Sequence, residues 1–158
     1  METIAFFQWV EQSAFAEFTK SYGGLFAAVQ TVHLASMALL GGMVLLLNLR
    51  LLGVLLTDLP VAAVLAQSRR WIGIGLAAMV LSGCYMASAV AMKLYYNDFF
   101  WAKMTGLALG IAYLYGVQFP LLRTGVDGLR RWTPTVVAAT SLMLWFSVAA
   151  SGRWIGFS

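Results

Sequence analysis

Charge is what this sequence has least of. Its 158 residues include 10 Lys and Arg, 6 Asp and Glu and one His, so only 10% are charged. Soluble domains carry about 25%. A chain that is 61% hydrophobic, with a mean hydropathy of +0.83, lacks the polar residues to cover a core facing water. Cysteine is nearly absent too. Cys84 stands alone, which excludes an intrachain disulfide and a CxxC pair and says nothing of redox compartment. No carboxylate falls within the long apolar runs, since Asp58 and Asp98 sit in loops. That argues against a proton relay or a carboxylate metal cage. There is no second histidine, and no Ser-His-Asp set can be placed.

What the chain has is apolar length. A transmembrane helix needs roughly 20 mostly apolar residues. Four stretches approach or reach that, at about Leu25–Leu47, Trp71–Met92, Trp101–Leu122 and Thr135–Ala150. The last is short, with Trp145, Phe146 and Trp154 as interfacial anchors. No internal repeat or low-complexity linker divides the chain. The expected fold is all-α, an integral membrane four-helix bundle forming a single membrane domain over residues 1–158. Ahead of the first span, Ile4, Phe7, Ala14 and Phe18 recur at helical spacing. Residues 3–19 therefore read as an amphipathic surface helix, or equally as a short helix capping the bundle. Glu2, Glu11 and Glu17 against Lys20 are unlike the basic opening of a cleaved signal peptide. The Gly106–Gly110 pair has the GxxxG spacing of close helix packing.

The remaining charges orient the chain. Arg50, Arg69 and Arg70 lie between spans one and two, and Arg123, Arg130 and Arg131 between spans three and four, against Asp58 and Asp127. The other side carries Lys20, Lys93, Lys103 and Arg153. By the positive-inside rule, both termini are expected to face away from the cytoplasm. The net charge of +4 is then a topology signal, with the lipid bilayer as partner and no nucleic acid.

His33 lies roughly 12 Å below the start of the first span, at ~1.5 Å per residue. At a similar depth come Lys103, which starts span three, Arg153, which ends span four, and the thioethers of Met86, Met92 and Met104. Intramembrane ionisable groups are costly and usually face the bundle interior. Each also has a plain structural explanation. A neutral His33 can bond a neighbouring helix through Ser82, Ser88 or a tyrosine, Lys103 and Arg153 can anchor at the interface, and Met is adaptable filler. Arg50 belongs to the opposite end, where with Asn48 it is expected to bond loop carbonyls or lipid phosphate.

The stretch "VHLASMALLGGMVLLLNLRLLG" resembles the first-span signature of a group of small bacterial four-helix membrane proteins without a settled function. The pattern there is a His, then small residues, then Asp-Leu-Arg-Leu-Leu-Gly. The resemblance continues through "SRRWIGIGLAAMVLSGCYMASA", "YYNDFFWAKM" and the final "GRWIGF". The matched positions are His33, Arg50, Gly53, Gly83, Asn97, Phe100, Lys103, Gly152, Arg153 and Trp154. Asn48 stands where Asp is usual, and "GVQFP" lacks the histidine expected near it. A more distant, architectural likeness is to the CopD type of copper-resistance protein and the HemJ type of protoporphyrinogen oxidase. Both are compact helical bundles with a His in a span and a basic residue after an aromatic pair.

Three functions from different classes remain open. The first is b-type haem binding for membrane electron transfer or porphyrin-linked redox chemistry. His33 would be the axial metal ligand, Met86, Met104 or His33 of a second copy the sixth, and Lys103 and Arg153 the propionate partners. Bis-histidine ligation would require a homodimer. The second is a non-enzymatic accessory subunit or assembly factor of a larger membrane complex. The third is transport, including copper handling by His33 and Met37, which share a helix face.

Overall fold

Proline and glycine punctuate the apolar sequence and set where its helices begin and end. The computed structural model describes residues 2–124, 130 and 132–157. The helices are α1 (Glu2–Glu11), α2 (Ala14–Ser21), α3 (Gly23–Leu51), α4 (Val61–Ser88), α5 (Ala91–Tyr95), α6 (Asp98–Tyr113), α7 (Phe119–Arg123) and α8 (Thr133–Trp154). A π-helical turn, Leu114–Gln118, joins α6 to α7, and a 3-10 turn, Ile155–Phe157, follows α8. Among the described residues there is no strand. The fold is an all-α bundle.

Four stretches are long and apolar enough to cross a membrane: Gly23–Leu51, Val61–Ser88, Asp98–Arg123 and Thr133–Phe157. Their outward faces are strongly apolar. Leu81 is 72% exposed, Met143 73% and Phe146 75%, an arrangement that water would penalise and lipid accepts. The second helix starts ten residues before the expected Trp71, because Pro60 is its N-cap and Arg69 and Arg70 do not interrupt it. Charged residues near a membrane face keep their heads in the polar zone while the helix continues. At its other end this helix stops at Ser88, and Met92 belongs to the separate α5. The fourth helix is longer than the expected 135–150 for a similar reason. Arg153 is exposed at its end and does not break it.

The expected single helix over 3–19 is two helices. Ser13 caps α2, its Oγ accepting from the Ala16 N–H at 3.2 Å. That hydroxyl donates to the Val10 carbonyl at 2.6 Å, so one side chain closes α1 and opens α2. Helix α2 packs on the end of α4, with Thr19 Oγ1 3.4 Å from Ser88 Oγ. Helix α1 packs on α5, and a Glu11 carboxylate oxygen accepts from the Met92 N–H.

The spans pair as α3 with α4 and α6 with α8, and the two pairs meet through α3–α8 and α4–α7. Lipid tails are as apolar as leucine, so these contacts depend on close packing rather than on removal from water. Glycine makes them close. A methyl group at Gly75 would come within 3.2 Å of the Leu40 backbone nitrogen. Gly106 and Gly110 both face α8. Methyl groups there would lie 3.1 Å from Val148 Cγ2 and 3.5 Å from Trp145. The GxxxG spacing thus serves packing within the chain. The large buried side chains Leu47, Ile72, Leu114, Phe119 and Leu122 gather in the half of the bundle near the α3–α4 loop.

Candidate functional site

The half of the bundle nearer the termini holds the histidine. His33 lies on α3 and faces α4, its Nδ1 2.9 Å from Ser82 Oγ. The Ser82 hydroxyl also lies 2.6 Å from the Ala78 carbonyl oxygen one turn earlier, and that carbonyl can only accept. The serine has one proton, and this short bond takes it. Nδ1–H of His33 is therefore the donor to Ser82 Oγ, which leaves Nε2 with its lone pair. The imidazole is seated over Gly83, where a methyl group would come within 3.2 Å of Cε1. A larger residue at position 83 would require the ring to shift.

Lys103 is the second polar member. It lies half-buried on α6, six residues beyond Asn97, whose Oδ1 caps that helix by accepting from the Phe100 N–H at 3.2 Å. The end of its side chain passes over Gly152 of α8, with Cε and Nζ each 3.5 Å from where a methyl would stand. Among the described residues the one ion pair is Lys20–Glu11 at 3.5 Å, so no carboxylate neutralises Lys103. Tyr85, three residues beyond Ser82, buries its hydroxyl without a partner, as Trp145 does its Nε1.

The other expected site residues take different positions. Met86 is half-buried one turn above Ser82, and Met104 is half-buried beside Lys103. Arg153 is exposed, and its guanidinium stacks over the Phe157 ring at 4.3 Å. Met37, one turn from His33, is 36% exposed. Among the described residues no three His, Cys, Asp or Glu side chains converge as metal ligands. The motifs "YYNDFFWAKM" and "GRWIGF" meet in space: Asn97 Nδ2 donates to the Ile155 carbonyl at 3.5 Å, and the Phe99 and Trp154 rings lie 6.4 Å apart.

The opposite half holds a polar cluster that sequence reasoning missed. Asn48, Gln118 and Ser141 are each 0% exposed. Asn48 Nδ2 donates to the Val44 carbonyl at 2.8 Å and to Ser141 Oγ at 3.0 Å. Gln118 Nε2 donates to Asn48 Oδ1 at 2.9 Å. Three helical segments are thereby tied together inside the apolar core. The two departures from the resembled pattern, Asn48 and the "GVQFP" segment, are direct partners here. Both are amides and neither titrates, so the cluster is a neutral lock. The backbone explains how Gln118 arrives. Pro120 has no N–H and crowds the carbonyl four residues back, and the preceding turn widens into the π form. The signal available in the sequence was depth: one polar residue in each of three apolar helices, near the same end.

Arg50 bonds the loop as expected. Its Nε donates to the Leu59 carbonyl at 3.0 Å, and Nη2 to the Leu59 and Thr57 carbonyls at 2.6 and 3.3 Å. The helix end itself is a Schellman cap: Val54 N–H donates to Leu49 O at 2.9 Å and Gly53 N–H to Arg50 O at 3.1 Å. Gly53 takes φ +71°, which explains a glycine there. Arg131 and Asp127 lie outside the described residues.

The comparison with protein families then places the sequence. The chain belongs to DUF6644, a family of unknown function, over residues 6–158. No curated protein and no solved structure matches it. The family assignment thus spans both the histidine site and the amide lock.

Proposed function

We propose that this small membrane protein uses the terminal half of its bundle as a ligand site built on His33 and Lys103, and that the ligand is b-type haem serving membrane electron transfer. The observation that carries the reading is the His33–Ser82 bond. It fixes the imidazole through Nδ1 and leaves Nε2 available, the arrangement that ligating histidines adopt. The surroundings fit the group's chemistry. Among the described residues Lys103 has no carboxylate partner and suits a propionate, and the unpartnered Tyr85 hydroxyl is a further donor. Met86 and Met104 would offer thioether sulfurs as further ligands. The residues bind and orient: Ser82 sets the ring plane, Gly83 gives it room, and Lys103 supplies counter-charge. Haem, when bound, supplies a one-electron couple. The arginine-bearing loops are proposed to face the cytoplasm of a bacterial inner membrane, with both termini periplasmic.

A second reading has its own observation. The imidazole edge is covered by Gly83, so the His33–Ser82 bond also serves as a plain tie between α3 and α4. On that reading the protein is an accessory subunit of a larger complex. Titration of hemin into the detergent-solubilised protein separates them. Saturable binding at one haem per chain, or one per dimer, supports the first reading. Non-saturable partitioning, the same in His33→Ala, contradicts it and leaves the accessory reading.

A further inference from the structure

At the end of the bundle that carries Arg50 and the α3–α4 loop, α4 and the π-helical turn leave an open groove of about 590 Å³. It lies apart from the histidine site and does not depend on that site's ligand. Its mouth is basic and its floor apolar. Ala66, Arg69 and Arg70 line the half nearer the loop, and Gly73, Ile74 and Ala77 continue it along α4, with Tyr115 from the π turn as the far wall.

Three observations bear on the occupant. First, neither arginine is neutralised. Among the described residues no ion pair or side-chain hydrogen bond occupies Arg69 or Arg70, and the one ion pair lies at Lys20 and Glu11. Second, Tyr115 is held in place. Its ring packs edge-on against Phe119 at 4.9 Å, and its hydroxyl reaches to 4.0 Å from where a methyl group at Gly73 would stand. A side chain longer than a methyl at position 73 would therefore run into the phenol. Third, the order along α4 matches an amphiphile. After Ala66 at the loop end come the two cations, and residues 73–77 then run deeper into the apolar span. From Arg70 to Ala77 the helix advances about 10 Å.

We propose that this groove is a site for one anionic phospholipid. Arg69 and Arg70 hold the phosphate, Tyr115 donates to a phosphate or ester oxygen, and one acyl chain lies over Gly73, Ile74 and Ala77. Arginine forks match phosphate geometry, and basic pockets between spans are a recognised way of holding anionic head groups. A free phosphate ion would use the arginines and leave the apolar floor uncovered, so the lipid accounts for both halves of the groove.

The test is native mass spectrometry of the detergent-purified protein, with phosphatidylglycerol, phosphatidylcholine or inorganic phosphate added. The expected result is a retained phosphatidylglycerol adduct at one per chain, no comparable phosphatidylcholine adduct, and no displacement by millimolar phosphate. R69Q/R70Q should weaken the adduct ~30-fold, the loss expected of two cations near a surface. Gly73→Leu keeps both charges and fills the floor beneath Tyr115, and it should also abolish selective retention. It guards against misinsertion of the charge variant, and both variants are compared at equal monodispersity. Equal retention of the two lipids would overturn the proposal. So would an adduct that survives both variants, or phosphate competition with no effect of Gly73→Leu, which would mean a bare anion site.

Discussion

Single residues decide how the histidine is presented. Ser82 fixes the His33 ring through one hydrogen bond, and outer partners of this kind typically change ligand affinity 10–100-fold when removed. Ser82→Ala is therefore expected to weaken hemin binding by roughly ten-fold while leaving its stoichiometry intact, as measured by absorbance titration. Lys103→Gln should also weaken hemin binding. It should leave the binding of hemin dimethyl ester, which has no propionate charge, almost unchanged. Equal losses for both porphyrins would remove the counter-charge role. The amide lock makes a contrasting prediction. Asn48→Leu or Gln118→Leu strands a buried polar partner, at a cost of about 1–3 kcal/mol each. The double variant should cost less than the sum of the two, because the group each leaves behind is gone. Thermal unfolding of the four proteins in one detergent checks this.

At the scale of helices, glycine and proline set the geometry. Gly75 lets α3 and α4 approach backbone to backbone, with Leu40 as the obstacle. Backbone cannot shift as a flexible side chain can, so Gly75→Ala should destabilise by about 1–3 kcal/mol. Gly41→Ala, where a methyl would meet nothing within 4 Å, serves as the control and should be near neutral. The existence and apolar character of the four spans were legible in the sequence, because length and hydropathy are local properties. The boundaries were less so. Arg69 and Arg70 did not mark a helix end, and Ser13 divided a segment whose apolar spacing runs on across the break. His33 and Lys103 were readable as candidates because each is an ionisable group in an apolar run. Their glycine seats, Gly83 and Gly152, could be quoted as matched positions without any sign of what they accommodate. The Asn48–Gln118–Ser141 lock was not legible, since it joins residues 70 and 93 positions apart and depends on a π turn.

Across the whole molecule the bundle is polarised. One end is tightly packed, held by the amide lock, the large aliphatic side chains and the Arg50 clamp on its loop. The other end carries the histidine, an uncompensated ammonium and buried donors. The proposed orientation places the packed end toward the cytoplasm. It predicts that a cysteine replacing exposed Asp58, in a Cys84→Ser background, is labelled only after the inner face is made accessible. A cysteine replacing exposed Tyr96 should react from outside. The reverse pattern would invert the orientation while leaving the site intact. The central claim, that the His33 end holds haem, is tested most directly by the reduced-minus-oxidised optical spectrum of protein purified from haem-replete membranes, beside His33→Ala at equal fold and yield. The account predicts a Soret band and sharp visible bands in the wild type that are lost in the variant. A folded, colourless wild-type protein, or a spectrum unchanged by His33→Ala, would contradict it.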